Sequence, residues 1–208
     1  MGLDAQRLAA GLDALAAIEP AFAAALARVG YPAPRISPPG VNTLLRTIVG
    51  QQVSVASAAA VYGRMEAALG GTIDPAALAA APDELLRGAG LSRQKIGYVR
   101  SLAGLVASGE LDLAALPADD EAAIAELVRI KGIGRWSAEI YLLFAEGRGD
   151  IWPAGDLAVQ IEVGRLMGLP TRPSERETRA IAEGWRPHRG AAAIFTWHHY
   201  NSEMGAPV

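Results

Sequence analysis

The chain contains no cysteine, which excludes disulfides, thiolate zinc sites, iron–sulfur ligation and a cysteine nucleophile together. A reducing compartment is thereby permitted. Lysine is almost missing as well: Lys95 and Lys131 stand against seventeen arginines in a total of 19 basic residues. No stretch approaches the roughly 18 apolar residues that a membrane helix needs. The first thirty residues carry Asp4, Arg7, Asp13 and Glu19 within an Ala/Leu pattern, which interrupts any signal-peptide core. A soluble protein without a targeting segment is expected. Sustained strand alternation is also absent, and the formal net charge of -3 argues against wholesale polyanion binding.

What is present is helical spacing, as in Leu8, Leu12, Leu15 and Ile18, or Ile124, Leu127 and Val128. With 208 residues and 51% hydrophobic content, the chain can build one substantial core or two small lobes sharing a cleft. Pro32, Pro34, Pro38 and Pro39 mark a stiff connector after the first one or two helices. A helix is predicted to stop near Gly50 and another to start with Ser54 as its cap. Further helices are predicted over 75–81, 82–89, 92–107, 119–128, 135–146, 157–167, 174–185 and 189–203. Two segments are locally basic, 85–109 by four charges and 172–189 by two. Either could face phosphates or be a solvated helix face.

Between two of these helices lies Leu127-Val128-Arg129-Ile130-Lys131-Gly132-Ile133-Gly134-Arg135-Trp136-Ser137-Ala138. A Gly-x-Gly turn lets the backbone reverse tightly and leaves amides at the next helix's N-terminus pointing outward, where they can bind phosphate. Glycines used for packing alone are the plainer explanation, but the apolar flanks and the small pair Ser137 and Ala138 resemble the helix-hairpin-helix DNA-binding element. Asp156 follows in Trp152-Pro153-Ala154-Gly155-Asp156-Leu157-Ala158-Val159-Gln160. Its position after Gly155 equally suits an N-cap of the next helix.

Together with Ile48-Val49-Gly50-Gln51-Gln52-Val53-Ser54, Gly90-Leu91-Ser92-Arg93-Gln94-Lys95, and Trp185-Arg186-Pro187-His188-Arg189 leading to Trp197, these motifs resemble the DNA-3-methyladenine glycosylase II family. That family lies within the helix-hairpin-helix base-excision DNA glycosylases, and the resemblance runs from about Val41 to Tyr200. It implies an all-α fold of two helical lobes with the active-site cleft between them. Residues 41–146 would form the central lobe containing the helix-hairpin-helix. Residues 1–40 plus 147–208 would form the second lobe, which carries the catalytic Asp. The family's N-terminal α/β domain is expected to be absent.

The resemblance also implies site residues. Asp156 is the expected catalytic carboxylate, stabilising positive charge that develops on the sugar as the C1′–N bond breaks. Trp136 and Trp197 are expected to line an aromatic pocket for a flipped base, with Ile140 where the best-known members carry a tyrosine and Tyr141 beside it. Trp136 also stands where strand-cleaving relatives carry a Schiff-base lysine, so simple hydrolysis without lyase activity is expected. Gln51 and Gln52 are expected to contact DNA, with Gln52 as the plug that fills the gap left by the extruded base. Local backbone bonding at a helix break is the alternative for both glutamines. Lys95, Gly132, Ile133, Gly134 and Arg135 are the expected phosphate contacts. Paired His198 and His199 point to different helix faces, so no metal site is expected.

The implied activity is excision of alkylated purines, of the 3-methyladenine and 7-methylguanine type, from duplex DNA. No cofactor is expected to be required, and a monovalent cation at the hairpin is compatible with the resemblance. The expected partner is double-stranded DNA containing damaged bases, with no membrane. A cytoplasmic monomer is expected, associated with the nucleoid in a bacterium. A glycosylase for oxidised or deaminated bases and a non-catalytic helix-hairpin-helix DNA-binding module are the alternatives.

Overall fold

The computed structural model describes residues 3–204, which contain helices and loops and no strand. In chain order the helices are α1 (Ala5–Ile18), α2 (Pro20–Val29), α3 (Val41–Gly50), α4 (Val55–Ala68), α5 (Pro75–Ala80) and α6 (Asp83–Gly88). There follow α7 (Arg93–Ala107), α8 (Asp120–Val128), α9 (Arg135–Tyr141), α10 (Leu157–Leu166), α11 (Glu175–Ile181) and α12 (Arg189–Met204). A π-helical turn, Leu142–Glu146, continues α9, and a 3-10 turn, Ala182–Trp185, continues α11. Side-chain caps set most of the starts. Asp4, Ser54, Asp74, Ser92, Asp119, Asp156 and Ser174 each accept a hydrogen bond from the amide three residues on.

The chain divides into two compact units, Met1–Ser37 with Leu142–Val208, and Pro38–Tyr141. The second crossing falls at Tyr141 rather than at the expected 146. The periodic segment over 135–146 is helical throughout, but its hydrogen bonding changes from α to π at Leu142, and that turn belongs with the first unit.

In the first unit α12 is the central element. Residues 191–196 are all buried, so this helix has no solvent face along that stretch and packs against α1, α2 and α10. Close approach requires small residues. A Cβ on Gly11 would lie 2.9 Å from that of Ala191. Phe22 fills the adjoining space, edge-on to Trp185 at 5.1 Å and tilted on Phe195 at 5.6 Å between ring centroids. One buried polar chain crosses this core. Arg28 donates to His199 Nε2, which places the ring proton on Nδ1, where it is donated to the fully buried Glu162. His198 turns instead to the Val29 carbonyl at 3.1 Å.

In the second unit α7 is the spine. Ile96, Val99, Leu102 and Ala103 form its buried stripe, packed against α3 and α5. From α3 come Leu44, Leu45, Ile48 and Val49. The hairpin between α8 and α9 turns on Gly132, whose φ of 85° lies in the left-handed region. A Cβ there would also meet the Tyr98 ring at 2.3 Å, so two independent constraints demand glycine. Gly134 has neither a positive φ nor any atom within 4 Å of a built Cβ. Gly132→Ala is therefore expected to destabilise by about 1–3 kcal/mol or more through combined backbone strain and overpacking, whereas Gly134→Ala should be near neutral. Thermal and urea unfolding of the two variants check this contrast.

Candidate active site

Asp156 ends a loop that is tied from several sides. The buried Trp152 donates from its indole nitrogen to the Thr178 carbonyl at 3.1 Å and meets Trp185 edge-on at 5.4 Å. Its carbonyl accepts from the Ala154 amide at 2.9 Å and from Arg179 at 3.3 Å. Gln160 reaches back from α10 to the Ala154 carbonyl at 2.8 Å, and the Asp156 amide donates to the Pro153 carbonyl at 2.9 Å. The Trp-Pro loop thus places the carboxylate through its backbone. Little is left to the side chain itself.

Two donors meet one carboxylate oxygen. Asp156 Oδ1 accepts from the Val159 amide at 3.1 Å, which is the helix cap, and from Trp197 Nε1 at 3.1 Å. The capping and catalytic readings of Asp156 are therefore compatible in one geometry. The first turn of α10 also turns its partial positive charge toward the acid. Trp197, expected as a pocket wall, is a hydrogen-bond donor to Asp156.

Sequence spacing gave no sign of what backs Trp197. Phe144, in the π turn, packs on it with centroids 5.6 Å apart and planes tilted by 35°. The irregular turn leaves the Phe144 carbonyl to accept from the Ser37 amide at 2.9 Å. The connector thereby lies alongside, and Arg35 sits with its guanidinium 5.0 Å from the Phe144 ring centre. Periodicity cannot distinguish a π turn from the end of an α-helix. An exposed arginine in a proline-rich connector carries no signal either.

The second unit brings together Gln51, Lys95 and Gly132, in roles that differ from those expected of them. Lys95 Nζ donates to the Val49 carbonyl at 2.6 Å and to the Gln51 carbonyl at 2.7 Å. It is a cap for the C-terminal end of α3 rather than an outward phosphate contact, because those carbonyls lack intrahelical donors. Partial burial pushes its pKa below the usual lysine value. Gln51 Nε2 donates to the Gly132 carbonyl at 2.8 Å, a bond to the distant hairpin rather than to the backbone of its own helix break. Gln52, the expected plug, is exposed, with a φ of 56° that is unusual outside glycine.

At the hairpin, the amides of Gly132, Gly134 and Arg135 have no hydrogen-bond partner among the described residues, whereas that of Ile133 donates to the Ile130 carbonyl at 3.0 Å. The Ile133 side chain is buried. The Arg135 side chain is engaged by two carboxylates. It pairs with Glu121 at 2.8 Å and with the buried Glu139 at 2.9 Å, and the Glu121 hydrogen bond above all holds it firmly charged, its pKa raised. Trp136 is 46% exposed, and half-buried Ile140 lies one turn further along the same face. Tyr141 is not a wall beside them. The next helical position faces the core, where its hydroxyl accepts from the Gly40 amide at 2.8 Å.

Three comparisons bear on this arrangement. DNA-3-methyladenine glycosylase 1 of Schizosaccharomyces pombe is 32% identical over 158 residues, 74% of this chain and 69% of the relative. A crystal structure of DNA-3-methyladenine glycosidase from Bacillus halodurans superposes with a TM-score of 0.86 at 29% identity, covering 99% of this chain and 94% of that one. The S. pombe 3-methyladenine DNA glycosylase in complex with abasic DNA superposes with a TM-score of 0.74 at 26% identity, covering 93% and 96%. Curated relatives matched over about three quarters of this chain or more are covered over 32–69% of their own length. Residues 45–187 match the family described as HhH-GPD superfamily base excision DNA repair protein. The capped carboxylate after the Trp-Pro loop and the glycine hairpin both fall within that span, and the chain belongs to the HhH-GPD superfamily of base excision DNA repair proteins.

Proposed function

We propose that this protein is a DNA glycosylase that hydrolyses the N-glycosidic bond of alkylated purines in duplex DNA and leaves the strand intact. The observation that carries this reading is the convergence of the Val159 amide and the Trp197 indole on Asp156 Oδ1. Departure of the base leaves positive charge on C1′, and a carboxylate held in place stabilises that charge without reorganising. The electron pair of the C1′–N bond leaves on the purine nitrogen, water then bonds to C1′, and its proton passes to the carboxylate or to solvent. Methylation at N3 or N7 gives the purine a charge that weakens the glycosidic bond. Such a base needs less help in leaving, and aromatic faces attract its cation.

DNA is the partner that fits the second unit. The open amides of Gly132, Gly134 and Arg135 suit a phosphate, and exposed Gln52 suits the gap left by an extruded base. A lyase step needs a lysine as the Schiff-base nucleophile. By the resemblance Trp136 occupies the position of that lysine, Lys95 is engaged with two carbonyls, and Lys131 stands at another position of the pattern.

Asp156→Asn is expected to keep the cap and duplex binding while lowering single-turnover excision at least about a hundredfold, since electrostatic stabilisation at comparable sites is worth roughly 3 kcal/mol. Unchanged excision would remove the carboxylate from the mechanism. Trp197→Phe should separate stacking from hydrogen bonding: the ring persists, but loss of a bond to a charged group, worth about 1.5–3 kcal/mol, should slow excision roughly tenfold to a hundredfold. Affinity for an abasic product should change less. Borohydride should trap no covalent complex on a lesion duplex, and the product strand should remain whole until alkali is added; efficient trapping would contradict simple hydrolysis.

A further inference from the structure

Gln52 presents a physical problem. A left-handed glutamine costs of order 1 kcal/mol or more and persists only where its surroundings determine the backbone. Its neighbours supply that determination. On the preceding side, one ammonium from α7 holds the carbonyls of both Val49 and Gln51, spanning the last turn of α3 and the residue beyond it. The Gln51 side chain leaves in the other direction and holds the Gly132 carbonyl. On the following side, Ser54 starts α4 by accepting from the Ser57 amide at 3.2 Å. Tyr98, one turn after Lys95 on α7, packs against Gly132 itself. The exposed loop carrying Gln52 and the hairpin with its open amides are thus fastened to each other through Gln51 and to one helix through Lys95 and Tyr98.

We propose that Lys95 and Gln51 are positioning residues for base extrusion: they hold Gln52 in its left-handed pose and join the loop that enters the duplex to the hairpin that grips the backbone. The assignment rests on the glycosylase reading and deepens it. Lys95 acts through carbonyls rather than phosphates, so its removal weakens extrusion without changing how many counterions DNA binding releases. Gln51 makes the coupling two-way. A phosphate drawn to the amides of Gly132 and Gly134 grips the peptides on either side of the one whose carbonyl anchors the loop, and that middle peptide is itself tied through the Ile133 amide to the Ile130 carbonyl. A wedge has work to do only where a base is paired and stacked. A lesion with no partner across the helix is extruded at little cost.

The test uses Lys95→Met, which keeps the stem and loses the donors, Lys95→Arg, which keeps charge and donors, and Gln51→Ala. Single-turnover excision is measured on a 7-methylguanine duplex with the lesion opposite cytosine and on the same duplex with the lesion opposite a tetrahydrofuran gap. The paired-to-unpaired rate ratio should fall tenfold or more in Lys95→Met and Gln51→Ala and recover at least partly in Lys95→Arg. The salt dependence of affinity for undamaged duplex should keep the wild-type slope. A slope reduced by about 0.9 with both rates lowered equally would make Lys95 a phosphate contact and overturn the proposal. Thermal unfolding accompanies each variant, and if Lys95→Met does not fold, Gln51→Ala carries the test. Fluorescence of 2-aminopurine at the target position, in the Asp156→Asn background, reads extrusion without chemistry. Wild-type protein that excises no lesion while Asp156→Asn still extrudes the base would defeat the glycosylase reading alone. Extrusion unaffected by Lys95→Met and Gln51→Ala would defeat the positioning roles alone.

Discussion

A single carboxylate oxygen that accepts from both a helix-start amide and an indole is the constraint around which the first unit is arranged. Asp156 could be held by either donor alone and still swing. With Val159 on one side and Trp197 on the other it is fixed in two directions. The surrounding features keep those donors where they are. The Trp152 loop, braced by Thr178, Arg179 and Gln160, sets the start of α10. Buried α12, packed at Gly11 through Ala191, sets the indole. The placement of the carboxylate is thus established on folding, before any ligand binds.

The π turn has a comparable role. Its altered hydrogen bonding frees the Phe144 carbonyl for Ser37 and turns the Phe144 ring onto Trp197. Irregular helical turns recur at functional sites because they redirect one side chain without ending the helix. Here the redirected ring supports the indole that donates to Asp156, and the Arg35 guanidinium lies over the same ring in a cation–π contact worth about 0.5–1 kcal/mol when exposed.

In the second unit the same economy of cations is visible. Of two lysines in the whole chain, one is used to close the carbonyl end of α3, and Arg135 is used to join α8 to α9 through Glu121 and Glu139. Basic residues that a charge count assigns to phosphate are thus spent on internal carbonyls and carboxylates. The backbone amides of Gly132, Gly134 and Arg135 remain as open donors at the hairpin. A net charge of -3 is compatible with DNA binding by such a surface, because amides contribute no formal charge.

Helix periodicity, glycine and proline punctuation and capping residues were enough to determine an all-helical chain, most helix boundaries, the cap at Ser54, the hairpin on Gly132 and the place of Asp156 before α10. These are local properties, written within a few residues of where they act. Tertiary structure alone decided the rest. Helical spacing puts Ile140 and Tyr141 on adjacent faces, but only packing shows that Tyr141 turns inward to the Gly40 amide. Nothing near Lys95 in sequence reveals that its ammonium reaches Val49 and Gln51, and nothing near Trp197 reveals a bond to an acid 41 positions earlier. Long side chains choose partners by distance in space, and that distance exists only once the helices have packed.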